Sequence, residues 1–561
     1  MFDIVIKNAR IIDGSGQDSY ISDIAVKDGV IEKIGSADGN AEKEIDAGGL
    51  ALSPGFIDAH GHTDMYVFAD PGCGAKLKQG ITTELAGQCG ISLFPVSEEY
   101  FLQYQGYYQK MGALIPEECS GFRGFRQYLS YLSALPLGIN LACFAGQGSI
   151  RIAAMGLSTG QATGGQMAVM KDYLAEAMEN GALGLSTGLM YAPGSFTATE
   201  ELAELSKAMA PFGGIYTTHL RNQGNQLINS IDEAIRIGSE AGVNVNISHH
   251  KAVGKDNFGK VKASLERLSA AARKGIRVTH DIYPYAASST TLSATLPPSF
   301  IKMGAEKLLS ELEAKEFQEL LYRKIFSPDE EWDNDIAACG WDGILIIAAA
   351  ETEAAVGLTI AGYAAKLGLE PFEAYIRLLL VNKLTVSDIC FSMDEKDVEY
   401  LFQDDACMIG TDSIYLPSMK MVHPRSVGTF PKLLGEYVRE KMLLSLEKTI
   451  HKMTGLPASV YGLANKGLLK EGMDADLVLF DPGTVAAQSD YVNPLKENTG
   501  ISYVIVNGRI AVKDNQCTQA AAGRVIRGGG FKTATDCNSE KCGTEKCNAG
   551  KQHHNGYSEG L

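Results

Sequence analysis

From Phe2 to about Gly49, apolar and polar residues alternate in short runs, FDIVIKNARIID, ISDIAVKDGVIEKIG and AEKEIDAGG, with Gly, Asp and Asn at the breaks. A period of two buries one face of an extended strand, so this stretch predicts a small antiparallel β unit. The texture returns near the other end in GLLKEGMDADLVLFDP and ISYVIVNGRIAVKDN, where the Asn-Gly of VNGR is a hairpin signal between two strand-like runs. Residues 1–51 and 461–528 are therefore expected to form one sheet domain together. Between them, in 52–460, short apolar strands alternate with amphipathic helical stretches, the pattern of a parallel βα fold.

The candidate strands are LSPGFIDAHGH, ITTELAGQCG, INLACFAGQGS, GALGLSTGLMY, GIYTTHLRN, VNVNISHHK, RVTHDIYPY and ACMIGTDS. Eight such strands close a (β/α)8 barrel, in which reactive side chains collect at the C-terminal strand ends. The His, Cys and Asp residues of this chain fall at those ends. The stretch from Tyr285 to Ala406 is far longer than one connecting helix needs, so it should hold an insertion, placed at about 286–345, with a lid over the barrel mouth as its natural role. After Gly528 the text turns to Gly, Lys, Asn and small polar residues, the composition of a disordered tail. Its Cys537, Cys542, Cys547, His553 and His554 lack the paired C-x-x-C spacing of a zinc knuckle.

Composition narrows the function. A chain of 561 residues with 45% hydrophobic and 21% charged residues has ample material for a large core. A net charge of −17 repels phosphate backbones and argues against nucleic acid as the main partner. No apolar run is long enough to span a bilayer, and the N-terminus lacks the features of a signal peptide, so no membrane role and a cytoplasmic location are expected. Eleven cysteines, an odd and largely scattered set, point to reduced thiols rather than a disulfide framework.

His60 and His62 in DAHGHTD are one residue apart, which on an extended strand points both imidazoles to one side, within reach of one ion. Alone this is weak. Three further strand ends, however, offer metal-ligand side chains in Cys89 of AGQCG, His219 of YTTHLRN and His249 or His250 of NISHHK, and Asp412 of IGTDS closes the last strand. Singly, Cys89 could be a small buried hydrophobe, Asp412 a helix cap and His219 a core histidine. Together, at five strand ends of one barrel, they converge on its axis.

These residues carry a resemblance. SPGFIDAHGHTD resembles the opening metal motif of the amidohydrolase superfamily, and with the cysteine of TTELAGQCG and with GLSTGLMYAPG, SHHK and HPRSVGTF the chain is similar to the N-acyl-D-amino-acid deacylase (D-aminoacylase) family from about Phe2 to Gly528. The resemblance implies a metal-bearing (β/α)8 barrel, a TIM-like α/β fold, flanked by a small β-sandwich from both chain ends. It implies Cys89, His219 and His249 as ligands of one tight Zn²⁺, with His60, His62 and Asp412 around a second, weaker position; a mixed thiolate, imidazole and carboxylate set suits zinc. His249 is preferred to His250 because it shares a strand face with Lys251. The reaction implied is hydrolysis of the amide of N-acyl-D-amino acids by metal-activated water, with Asp412 as general base and then acid. Tyr191, Lys251 and Arg425 match positions that would anchor the substrate carboxylate, which Arg grips with two parallel bonds.

YPYAASSTTLSATLPP contains no Arg or Lys, which favours neutral, mostly apolar substrates over acyl-D-glutamate. Two alternatives stand beside this reading. A hydantoinase-, dihydropyrimidinase- or dihydroorotase-like cyclic-amide hydrolase would need a mid-barrel lysine for carbamylation, and GALGLSTGLMY has none. A non-catalytic scaffold of the same fold would have no reason to keep all six ligand-type residues.

Overall fold

The computed structural model describes residues 1–528 apart from 38, 113–114 and 329–331. The five tail residues Cys537, Cys542, Cys547, His553 and His554 lie outside the described residues.

The two chain ends build one nine-stranded sheet. Its long strand Phe2–Ile11 runs antiparallel to Tyr20–Lys27 and parallel to both Ala41–Asp46 and Ala51–Pro54, and Ala51–Pro54 in turn pairs antiparallel with Leu477–Phe480. That last pairing joins residues more than four hundred positions apart, and a shared core including Ile6, Ile24, Leu52, Leu477 and Ile505 seals it. The Asn-Gly turn forms as expected: Val506 pairs with Arg509 around Asn507 at φ 46° and Gly508 at φ 78°. Both central residues have positive φ, the twist that matches a two-residue hairpin.

All eight predicted barrel strands form. They are β1 (Phe56–Asp58), β2 (Ile81–Ala86), β3 (Asn140–Cys143, continuing as Ala145–Gly146), β4 (Gly184–Gly188), β5 (Ile215–His219), β6 (Asn244–Ile247), β7 (Val278–Ile282) and β8 (Cys407–Ile409). Neighbours pair in parallel from β1 to β3 and from the second part of β3 through to β8. Ala59 N donates to Ile409 O at 2.9 Å and Asp412 N to His60 O at 2.7 Å, which ties β8 back to the end of β1. Gly410 permits that closure, since a Cβ there would lie 2.4 Å from His60 Cβ. Outer helices read as the pattern predicts: Leu227–Ala241 buries Leu227, Ile231, Ala234, Ile237 and Ala241, one apolar stripe at 3.6-residue period.

The insertion between β7 and β8 has its own three-stranded antiparallel sheet, in the order Ser288–Thr291, Ser387–Cys390, Ile344–Ala348, and its own core including Leu292, Leu312, Leu321, Tyr375 and Leu378. It extends well past 345, to Cys390, because the strand at its centre is the last to arrive along the chain. Among the described residues no helix is long and apolar enough to cross a membrane.

Candidate metal centre

The regular hydrogen bonding of β1, β2, β6 and β8 stops short of the residues that matter. Cys89 (φ 54°), His249 (φ 34°) and Asp412 (φ 48°) all sit in the left-handed region, which side chains other than Gly occupy only where surroundings hold them. These kinks turn three side chains inward where the strand has ended. The alternation argument that favoured His249 therefore does not operate; His249 Nε2 lies 3.5 Å from Cys89 Sγ, while His250 Nε2 bonds Ser264 Oγ on the outer helix at 2.7 Å.

Cys89 is the hub. Its Sγ stands 3.3 Å from His60 Nε2, 3.5 Å from His249 Nε2 and 3.9 Å from His219 Nδ1. The donor atoms fall into two groups, Cys89, His219 and His249 on one side and His60, His62, Cys89 and Asp412 on the other, and Cys89 belongs to both. Asp412 Oδ1 is 3.2 Å from His62 Nε2 and 3.6 Å from His60 Nε2. Burial opposes a thiolate, but His60 and the hydrogen bonds of His219 and His249 outweigh it and hold the Cys89 thiol well below its ordinary value. Burial also opposes charge on His62, yet its bonds to Asp412 and Cys89 raise it to about 9; burial, aided by Lys251, lowers His249 to about 3. Asp412 is pulled below the usual carboxylate range by Arg425 and the histidines, against the effect of burial.

These residues fit a metal ion. Buried His60, His62, His219 and His249 and the Cys89 thiol supply donor atoms that, with Asp412, lie within 4.8 Å of one another in each of the two groups. Thiolate, imidazole and carboxylate are zinc's donor set.

The three expected anchors face the same cavity. Arg425 Nη1 is 3.0 Å from Asp412 Oδ2, its guanidinium lies 4.5 Å from the centre of the Tyr283 ring, and its Nε makes no hydrogen bond. Lys251 Nζ is 2.8 Å from His249 Nδ1 and 3.4 Å from Gln223 Oε1, and burial lowers it to about 8. The Tyr191 hydroxyl meets Thr290 Oγ1 at 3.0 Å, and its ring meets His219 edge-on. Among the described residues lining the cavity, Lys251 and Arg425 are the only lysine or arginine.

Three supporting features escaped the sequence. Asp281, inside β7, puts Oδ1 3.3 Å from His60 Nδ1 and accepts from His249 N at 2.8 Å, so one carboxylate braces a histidine of each group. Gln223 reaches His249 Nδ1 at 3.3 Å. Beneath the histidines, buried Lys76 pairs with Asp58 at 2.6 Å and Glu84 at 2.8 Å and donates to Thr411 Oγ1 at 2.7 Å. Asp58 accepts from Thr411 N and Glu84 from Thr63 N, both at 2.8 Å, so the cluster pins the loops that carry His62 and Asp412. Replacing Lys76 by Met leaves two buried carboxylates without their cation, and such losses cost about 3–5 kcal/mol. A urea-denaturation midpoint should fall accordingly; an unchanged midpoint would remove the cluster from this role.

Residues 43–276 and 348–512 match the Amidohydro_3 amidohydrolase family. The chain is 35% identical over 533 residues to the D-aminoacylase of Alcaligenes xylosoxydans xylosoxydans, covering 94% of this chain and 97% of that one. It superposes on the N-acyl-D-glutamate deacylase of Bordetella bronchiseptica, solved with zinc and a phosphonate mimic of the tetrahedral intermediate, with a TM-score of 0.79 and 32% identity over 94% of this chain and 99% of that one. A D-aminoacylase described as having a binuclear metal centre, activated by one metal and attenuated by the second, gives a TM-score of 0.77 at 32% identity, covering 94% of this chain and 100% of that one.

Proposed function

The chain belongs to the amidohydrolase family and hydrolyses the amide bond of N-acyl-D-amino acids, and we propose that it does so on zinc held by Cys89, His219 and His249. The observation that carries the metal assignment is the Cys89 thiol with the nitrogens of His249 and His219 at 3.5 and 3.9 Å, one group whose donor atoms all lie within 4.8 Å of one another. His60, His62 and Asp412 share Cys89 with it and form a second, weaker position.

Zinc, when bound, supplies Lewis acidity that lowers the pKa of water and polarises an acyl oxygen. The chain's residues do the rest. Asp412, held ionised beside Arg425 and His62, accepts the proton of the attacking water and passes it to the nitrogen of the leaving amine as the C–N bond breaks. The guanidinium of Arg425 and the ammonium of Lys251 hold the α-carboxylate and with it fix the scissile amide over the donors. The Tyr191 hydroxyl, at the opposite wall, supplies a further donor. With both cations of the cavity committed to the α-carboxylate, a second carboxylate on the side chain has no partner, so neutral side chains are preferred. A carbamate-dependent cyclic-amide mechanism is disfavoured, because β4 carries no lysine.

The test is amine release from N-acetyl-D-methionine and N-acetyl-L-methionine by zinc-analysed protein. The D form should turn over at least ~100-fold faster, the discrimination expected when the carboxylate anchors position only one enantiomer's amide. Equal turnover of both enantiomers, or of neither with zinc bound, would sink the assignment.

A further inference from the structure

The cavity lined by Cys89, His219 and His249 is small, about 120 Å³, and a second cavity of about 330 Å³ lies beside it. The second falls within the size range of small-molecule sites. Met111, Met190, Tyr191, Thr291 and Asp333 line both, so the two adjoin and share that wall. Beyond that wall the lining is apolar, with Leu157, Leu189 and Phe196 from the barrel side facing Leu296, Ile301 and Leu308 from the insertion. Leu157 is 39% exposed there, a large aliphatic side chain left facing the groove.

The charges in this groove are neutralised or peripheral. Arg221 is paired with Glu233 at 2.9 Å and donates to the carbonyls of Ser195 and Thr197. Asp333 accepts the backbone N–H groups of Gln223 at 2.9 Å and Gly224 at 3.1 Å. Lys302 stands at the exposed rim. What the groove offers a ligand is apolar surface.

Its direction identifies the ligand. Arg425 follows β8, whereas Met190 and Tyr191 follow β4, and in a ring of eight strands β4 and β8 are opposite. A substrate whose carboxylate lies on Arg425 directs its acyl end across the donors towards Met190 and into the groove. The amino acid's own side chain is left to the wall formed by Ile347 of the insertion and by Met419 and Met421 after β8.

We propose that this groove is an acyl-chain subsite, and that the preferred substrates are N-acyl-D-amino acids with medium or long linear acyl groups rather than acetyl. The proposal rests on the deacylase reading and adds the class of acyl donor. Each methylene moved from water into an apolar groove is worth about threefold in kcat/KM, so N-octanoyl-D-methionine should exceed N-acetyl-D-methionine by at least ~30-fold.

The experiment measures kcat/KM for acetyl, butanoyl, octanoyl and dodecanoyl derivatives of D-methionine, and for N-acetyl derivatives of D-alanine, D-methionine and D-phenylalanine, with the intact zinc-loaded chain. It repeats the octanoyl-to-acetyl ratio in Ala305→Trp and Ala294→Trp, which fill the groove. The expected results are a rise with acyl length in the unaltered chain and a ratio that falls towards one in both variants. An octanoyl-to-acetyl ratio at or below one in the unaltered chain overturns the proposal without recourse to any variant. So does a gain that follows side-chain size at fixed acetyl, or a ratio that both folded variants leave unchanged. Absence of turnover for every derivative, acetyl included, overturns the deacylase reading instead.

Discussion

Asp412→Asn should retain the tight zinc and lose about three orders of magnitude in kcat, in line with the ~10²–10⁴ that a positioned proton-transfer group supplies. Asn keeps the shape of the side chain but cannot take a proton from water. Cys89, His219 and His249 are untouched by the change, so metal content at that position should stay near one ion per chain. The charge environment argues the same way: Arg425 at 3.0 Å and His62 at 3.2 Å keep the carboxylate ionised, ready to accept a proton, and Asn removes that anion while leaving the two partners in place. The assignment is checked by steady-state kinetics with N-acetyl-D-methionine on protein whose zinc is measured by plasma emission. A kcat within about tenfold of the unaltered chain, with zinc retained, would take Asp412 out of proton transfer.

The barrel was legible because its strands are short apolar runs that end in polar, chemically distinctive residues. Those endings sit at the ring's open mouth, so reading them along the chain also listed the candidate site. The supporting groups were not legible, because what they do depends on which strands are neighbours. Asp281 in THDIYPY reads as a polar residue inside β7, and only the fold brings it 3.3 Å from His60, more than two hundred positions earlier. Lys76 in GCGAKLKQG reads as a helix-surface cation, yet it is buried between Asp58 and Glu84. A signal was available in FIDAH and ITTELAG, where an acidic residue interrupts an otherwise apolar strand and must find a partner if buried. The left-handed backbone at Cys89, His249 and Asp412 was hidden too, since none of them is glycine and their conformation is imposed by the packing around the strand ends. The extent of the insertion was misjudged for a topological reason: Ser387–Cys390 completes a sheet begun about a hundred residues earlier, and nothing local in that strand says so.

Cys89→Ala should abolish both zinc retention and activity, and it tests the centre at the atom on which most depends. Sγ is the one donor common to both groups, so its removal leaves the first with two imidazoles and the second with two imidazoles and Asp412. Tight zinc sites use three or four protein ligands, so the first group falls below that number, while the second, already the weaker position, keeps three but loses the charge its thiolate contributes. The thiolate is also what the surrounding histidines stabilise: with it gone, His60, His219 and His249 lose the anion that offsets their burial. Zinc after dialysis against a mild chelator should drop from about one ion per chain to below about a tenth, and turnover with it. The backbone at Cys89 is already left-handed, and Ala accepts that conformation no worse than Cys, so circular dichroism should show an intact fold and separate loss of metal from loss of structure. Cys89→Asp, which restores an anionic ligand of harder character, should recover part of the zinc where Ala does not. Stoichiometric zinc in folded Cys89→Ala protein would mean that the ion is held elsewhere, and the shared-thiol centre would have to be abandoned.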